Sequence, residues 1–74
     1  MLTPQQTQTL SARINDLPVL IQEARQQVEL APEEDRFAAM GVVLDLEKQR
    51  DLCVRALTGN AGALGQLQQG YAYP

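Results

Sequence analysis

Six apolar residues, Leu10, Ile14, Leu17, Ile21, Ala24 and Val28, recur at steps of four, three, four, three and four. A spacing that averages three and a half lines one narrow face of an α-helix, and a helix with one such seam needs a second helix to bury it. This feature limits the first half of the chain to a long helix packed on a helical neighbour. The second half supplies the neighbour after a proline break at Pro32. The fold expected is all-α: an antiparallel two-helix hairpin over residues 1–60, with a short helical or extended appendage over 61–74.

The helix boundaries are legible. Thr3, Pro4 and Gln6 form a T-P-x-Q start in which Thr3 and Gln6 exchange capping bonds and Pro4 takes a position whose N–H is not needed. Helix 1 is expected over about 4–30. Pro18 lies inside it and removes a backbone bond to residue 14, at a cost of about 3 kcal/mol. The heptad phase continues unbroken across Pro18, which favours a kinked, nearly continuous helix over a second segment capped by Asn15 or Asp16. Helix 2 is expected over about 32–58, with Pro32 in its first turn. Glu33, Glu34 and Asp35 follow, complementing the positive end of the helix dipole. Thr58-Gly59-Asn60 ends it, with Gly59 or Asn60 able to take a left-handed cap conformation.

Helix 2 carries more apolar residues than one seam uses. One stripe contains Ala39, Val42, Val43, Leu46, Cys53, Val54 and Leu57, with Arg50 falling inside it, either to snorkel to water or to pair with a carboxylate such as Asp16. The seam of the hairpin is therefore assigned to Leu10, Ile14, Leu17, Ile21 and Val28 from helix 1, and to Val43, Leu46, Cys53 and Leu57 from helix 2. A second cluster, Phe37, Met40 and Leu44, is spaced i, i+3, i+7 on an adjoining face. It packs under the C-terminal segment, fills the hairpin near its turn, or forms an interface, because a hairpin has only one inner face. Asp51 and Arg55 form an i, i+4 pair of favourable order. Beyond Asn60, Leu64 and Leu67 could sit on a short helix weakened by Gly62 and Gly65. Tyr71 and Tyr73 either fold back over apolar surface or serve as a short linear element.

Size sharpens the interface reading. A chain of 74 residues buries only about 60% of its unfolded surface and gains roughly 3–5 kcal/mol from its core. Cys53 is the single cysteine, so no internal disulfide forms, and no histidine is present to complete a Cys/His zinc site. Self-association into a dimeric four-helix bundle, or a partner protein, is the remaining source of stability. Cys53 reads as a small buried hydrophobe rather than a redox site.

Composition narrows the function. With no histidine, and with Ser11 lacking a nearby base, the sequence offers no nucleophile–base pair, no phosphate loop and no metal-ligand spacing. The expectation is a nonenzymatic protein without cofactor or metal. Six basic against nine acidic residues give a net charge of −3, which disfavours nucleic acid and anionic membranes as partners. There is no apolar run of membrane-spanning length, and the first ten residues do not read as a secretion signal, so a cytoplasmic location is expected.

In plan the chain is similar to the small co-chaperones of bacterial type III secretion, whose hairpins begin helix 2 with acids and an aromatic. Pro32-Glu33-Glu34-Asp35-Arg36-Phe37 is the matching stretch. It is also similar to the short acidic helical dimers by which phages inhibit host regulators. Both resemblances are of plan rather than motif, and both imply a protein that binds another protein to occlude or scaffold it. Plasmid copy-number regulators that grip paired RNA loops share the hairpin plan. They need a basic face, whereas Arg13, Arg25, Arg36, Lys48, Arg50 and Arg55 are dispersed among acids here. Self-assembling structural subunits share the plan as well.

Overall fold

A computed structural model describes residues 1–74 as three helices with no strand. The first, α1, is Pro4–Leu30; a single 3-10 turn, Glu33–Asp35, leads into α2, Arg36–Leu57; and α3 is Ala61–Gly70. The molecule is a rod of 45 × 20 × 17 Å. Both α1 and α3 pack on α2, with α1 lying along it and α3 covering only one end. Arg25 of α1 bonds Glu47 of α2 at 3.0 Å, and Val28 shares a groove with Val43.

The start of α1 follows its sequence. Gln6 N–H donates to Thr3 Oγ1 at 3.1 Å, and Thr3 N–H donates to Gln6 Oε1 at 2.9 Å, so each side chain satisfies a backbone donor of the other. The helix runs through Pro18 without a break. Pro18 is exposed, while Leu17 beside it is fully buried. The missing bond and the bulky ring thus face water, and the seam holds the helix together on the other side.

Helical winding on the second side begins later than position 32. Pro32 is extended, with ψ 153°, so the acids Glu33–Asp35 wind into a 3-10 turn and α2 itself starts at Arg36. Its far end closes with paired bonds: Asn60 N–H donates to Arg55 O, and Gly59 N–H donates to Ala56 O. Gly59 adopts φ +105° to make this possible, a conformation that a side chain would strain. Asn60 then starts α3 at once, its Oδ1 accepting from Ala63 N–H at 3.1 Å. The two glycines within α3 do not prevent the helix, because Ala63 and Leu67 are buried on its inner face.

The main core draws on all three helices: Leu10 and Leu17 from α1; Leu52, Cys53 and Ala56 from α2; Ala63 and Leu67 from α3. Leu2, Ile14, Leu46, Leu64, Tyr71 and Tyr73 pack around it. The heptad of α1 is therefore buried as its spacing requires, fully at Leu10 and Leu17, nearly so at Ile21, and half at Ile14, Ala24 and Val28.

The inner face of α2 differs from the stripe expected. Val43 and Cys53 are buried and Leu46 is half-buried, but Leu57 is 37% exposed, and Val42 and Val54 also face solvent. Leu52, Ala56 and Gln49 take the inner places instead. The cause is α3: it lies on one flank of the second half of α2 and turns the buried direction toward itself. Arg50 is exposed and makes no ion pair with Asp16. The interhelical ion pair is Arg25–Glu47, and the expected Asp51–Arg55 pair forms at 3.1 Å.

Candidate interaction surface

Two features stand out from a background of ordinary polar surface. One is a buried polar node at the well-packed end, and the other is an apolar face at the turn.

The node is built on Tyr73. The chain leaves α3 at Gly70, turns through Ala72 at φ +57° and returns over the α1–α2 pair. There Arg13 Nε of α1 donates to Tyr73 Oη at 3.2 Å, and Gln49 Nε2 of α2 donates to the same oxygen. The Cys53 sulfur lies 3.5 Å from it. Gln49 is the one buried polar residue of the molecule, and Tyr73 explains it, since an unpaired amide at that depth would cost about 1–3 kcal/mol. Burial raises the Tyr73 pKa above the ordinary tyrosine value. The nearby Cys53 adds to the shift, while the bonds from Gln49 and Arg13 oppose it. The Arg13 guanidinium is pushed above its usual value chiefly by its bond to Tyr73.

Tyr71 is anchored separately. Its hydroxyl donates to Asp45 Oδ1 at 2.8 Å, and its pKa is pushed up to about 12 by desolvation first and by the Asp45 carboxylate second. The Pro74 carbonyl accepts from Gln6 Nε2 and Gln68 Nε2, tying the tail to both α1 and α3. The tyrosines pack edge to face, with ring centroids 6.4 Å apart. Tyr71 and Tyr73 thus fold back, as one of the two sequence readings held. Gln49 and Arg13 carried no periodic signal that would have marked them as their partners.

The second feature is the face of Phe37, Met40 and Leu44. Phe37 is 91% exposed, Leu44 60% and Met40 44%. None joins the core, so the alternatives that they pack beneath the C-terminal segment or fill the hairpin near its turn do not hold. The tail and α3 cover the far half of α2 as far as Asp45, where Tyr71 is bonded. Over a length of roughly 10 Å, the face presents a phenyl ring, a thioether and an isobutyl group to water. Leu30, 78% exposed, lies at the same end of the rod. Met40 also borders the groove between α1 and α2, opposite Val28 and next to Val43. At the centre sits Gly41, around which a Cβ would meet no atom within 4 Å. Glu33, Glu34 and Asp35 flank the face on one side and Lys48 on the other; all four are exposed and none forms an ion pair.

The widest groove, between Pro18 and Ile21 of α1 and Glu47 and Arg50 of α2, is open and lined mainly by polar side chains. The described residues contain no group of three or more His, Cys, Asp or Glu side chains placed to hold a metal ion. No helix is long and apolar enough to cross a membrane.

No protein-family model matches the chain, and neither a curated protein nor a solved structure matches it.

Proposed function

We propose that this protein is a small noncatalytic interaction module: a helical hairpin, strapped at one end by α3 and the tail, that binds a protein through the turn end of α2. The observation that carries this reading is the exposure of Phe37, Met40 and Leu44 together on one face of α2, with Phe37, the largest of the exposed apolar side chains, 91% exposed. Aromatic and methionine side chains clustered on one face supply adaptable apolar contact of the kind found at interface centres. In this reading the module acts by occluding or scaffolding what it binds, and a dimeric four-helix assembly is its resting state.

Gripping an RNA duplex is the less favoured alternative. Phosphate binding needs clustered cations, whereas the residues preceding Phe37 include three acids and a single arginine. An open filament would need two different faces that complement each other, and no such second face is paired with the Phe37 cluster in this reading.

Light scattering across a concentration series, beside circular dichroism, tests the proposal. The expected result is a mass above the 8.2 kDa monomer that falls to the monomer in Phe37→Glu while helicity is retained. A Phe37→Glu chain that loses its helicity would overturn it, because the face would then belong to the protomer's own core.

A further inference from the structure

We infer that the occupant of the Phe37–Met40–Leu44 face is a second copy of this chain, its α2 crossing the first in the antiparallel sense at Met40 and Gly41. This rests on the interaction-module reading and adds to it the partner and the register.

Self-complementarity of charge is the first support. In an antiparallel two-fold pair, residues whose numbers share a constant sum face each other. A crossing between 40 and 41 sets Phe37 against Leu44 of the other copy and Met40 against Gly41, and brings Lys48 to the Glu33–Glu34 pair. Apolar groups then meet apolar groups, and the unpaired cation meets the unpaired acids, twice over. Sliding the partner one turn toward the α2 C-terminus sets Phe37 against Lys48. A parallel pairing sets Lys48 on Lys48 and acids on acids. Of these registers, the crossing at 40–41 is the one that satisfies both the apolar and the charged groups, and like-charge contacts select against the parallel one.

Gly41 is the second support. A glycine inside an exposed helix weakens it relative to alanine. Nothing within the protomer calls for one, because the space around it is open. Opposite Met40 of another copy it has a purpose, since the missing side chain leaves a notch for the thioether and lets the two backbones approach. Val43 and Leu46 hold α1 on a different side of α2, while α3 and the tail lie along Asp45, Leu52 and Ala56, with Lys48 at the edge of that contact. A partner seated on Phe37 and Leu44 therefore approaches beside the end of α3 and meets Lys48 at its edge.

Sedimentation equilibrium on four variants tests the register. Lys48→Glu is expected to weaken the dimer, roughly two- to fivefold at each of the two symmetric pairs. The triple variant Lys48→Glu, Glu33→Lys, Glu34→Lys is expected to recover it. Gly41→Leu adds apolar surface and helix propensity, yet is expected to weaken the dimer by filling the notch. Phe37→Glu is expected to abolish it at unchanged helicity. A dimer indifferent to Lys48→Glu, or one tightened by Gly41→Leu, overturns the register while the interaction module stands. A chain that is monomeric throughout overturns the second copy as occupant.

Discussion

The two ends of this rod are built from similar helices and differ in how many neighbours each helix has. At the end holding Leu10, Leu52 and Leu67, three helices and a returning tail surround one core, and even a glutamine is buried and bonded. At the turn, two helices meet with nothing covering their outer sides, so that Phe37, Leu30 and Leu44 remain in water. A helix pair alone offers each helix a single inner face. A third element widens that face, and here α3 with its tail is too short to reach the turn. The buried cluster is thereby concentrated at one end, and the most exposed aromatic, Phe37, stands at the other. That division is what an interaction module needs: a rigid base and a face that can be matched by a partner.

The comparison can be broken most directly at the packed end. Leu17→Asp puts a carboxylate where the side chain is fully buried and unpaired, at a cost of several kcal/mol against a total of roughly 3–5 kcal/mol. Loss of the helical circular dichroism signal is expected, and a variant that melts like wild type would remove the seam from the account of the fold.

Tyr73→Phe is the next largest. It retains the ring and strands the Gln49 amide and Arg13, for an expected loss of about 1–3 kcal/mol. Thermal melting reads this as a fall of roughly 4–8 °C per kcal/mol. An unchanged midpoint would mean the tail is not a working part of the packed end.

Raising the pH examines the neighbouring Tyr71 anchor without mutation. Tyr71 ionises at about 12 in the folded chain against an ordinary value near 10. The folded state holds the proton more tightly, so this contribution is complete below pH of about 10 and is lost as pH rises toward about 12. Tyr73 shifts in the same direction and adds to the decline. Melting midpoints should therefore fall as pH rises above about 10, and less steeply in Tyr71→Phe. Equal slopes in the two proteins would count against the Asp45 contact.

The smallest stability effects belong to the turn end. In dilute, monomeric protein, Phe37→Ser should change stability by no more than about 0.5 kcal/mol, because the ring contacts water. Gly41→Ala should raise it by about 0.4–1 kcal/mol, since the added methyl meets open space in a helical backbone. Chemical denaturation of both variants reads these values. A large loss in Phe37→Ser would mean that the face packs within the protomer.

How far the chain was legible depended on how local the cause was. Thr3–Gln6 and the Gly59 closure are contacts between residues a few positions apart, and their residue types disclose them; the Asn60–Ala63 cap is equally local, but Asn60 was read only as a possible end of α2. The α1 seam is legible for the same reason, since Leu10 to Val28 lie on one rigid helix. The face Phe37–Met40–Leu44 was visible as a surplus, and its exposure decided among the readings of it. On α2 the periodic stripe misplaced Leu57 and Val54, and it missed Leu52 and Ala56. Apolar spacing registers that a face is buried, not which neighbour buries it. The start of α2 moved from Pro32 to Arg36 because an extended proline left three residues for a tighter 3-10 turn.

By itself, then, the sequence determined the all-helical class, the long first helix with its caps and heptad, the proline break and the apolar surplus of α2. Each of these follows from short-range sterics, capping bonds and periodicity. Tertiary structure alone decided that Tyr73 meets Arg13 across 60 residues of chain, that Gln49 is buried, and that α3 turns the inner face of α2 toward itself. Such contacts depend on where whole helices come to rest, and that position is set by the sum of many small packing energies rather than by any local pattern.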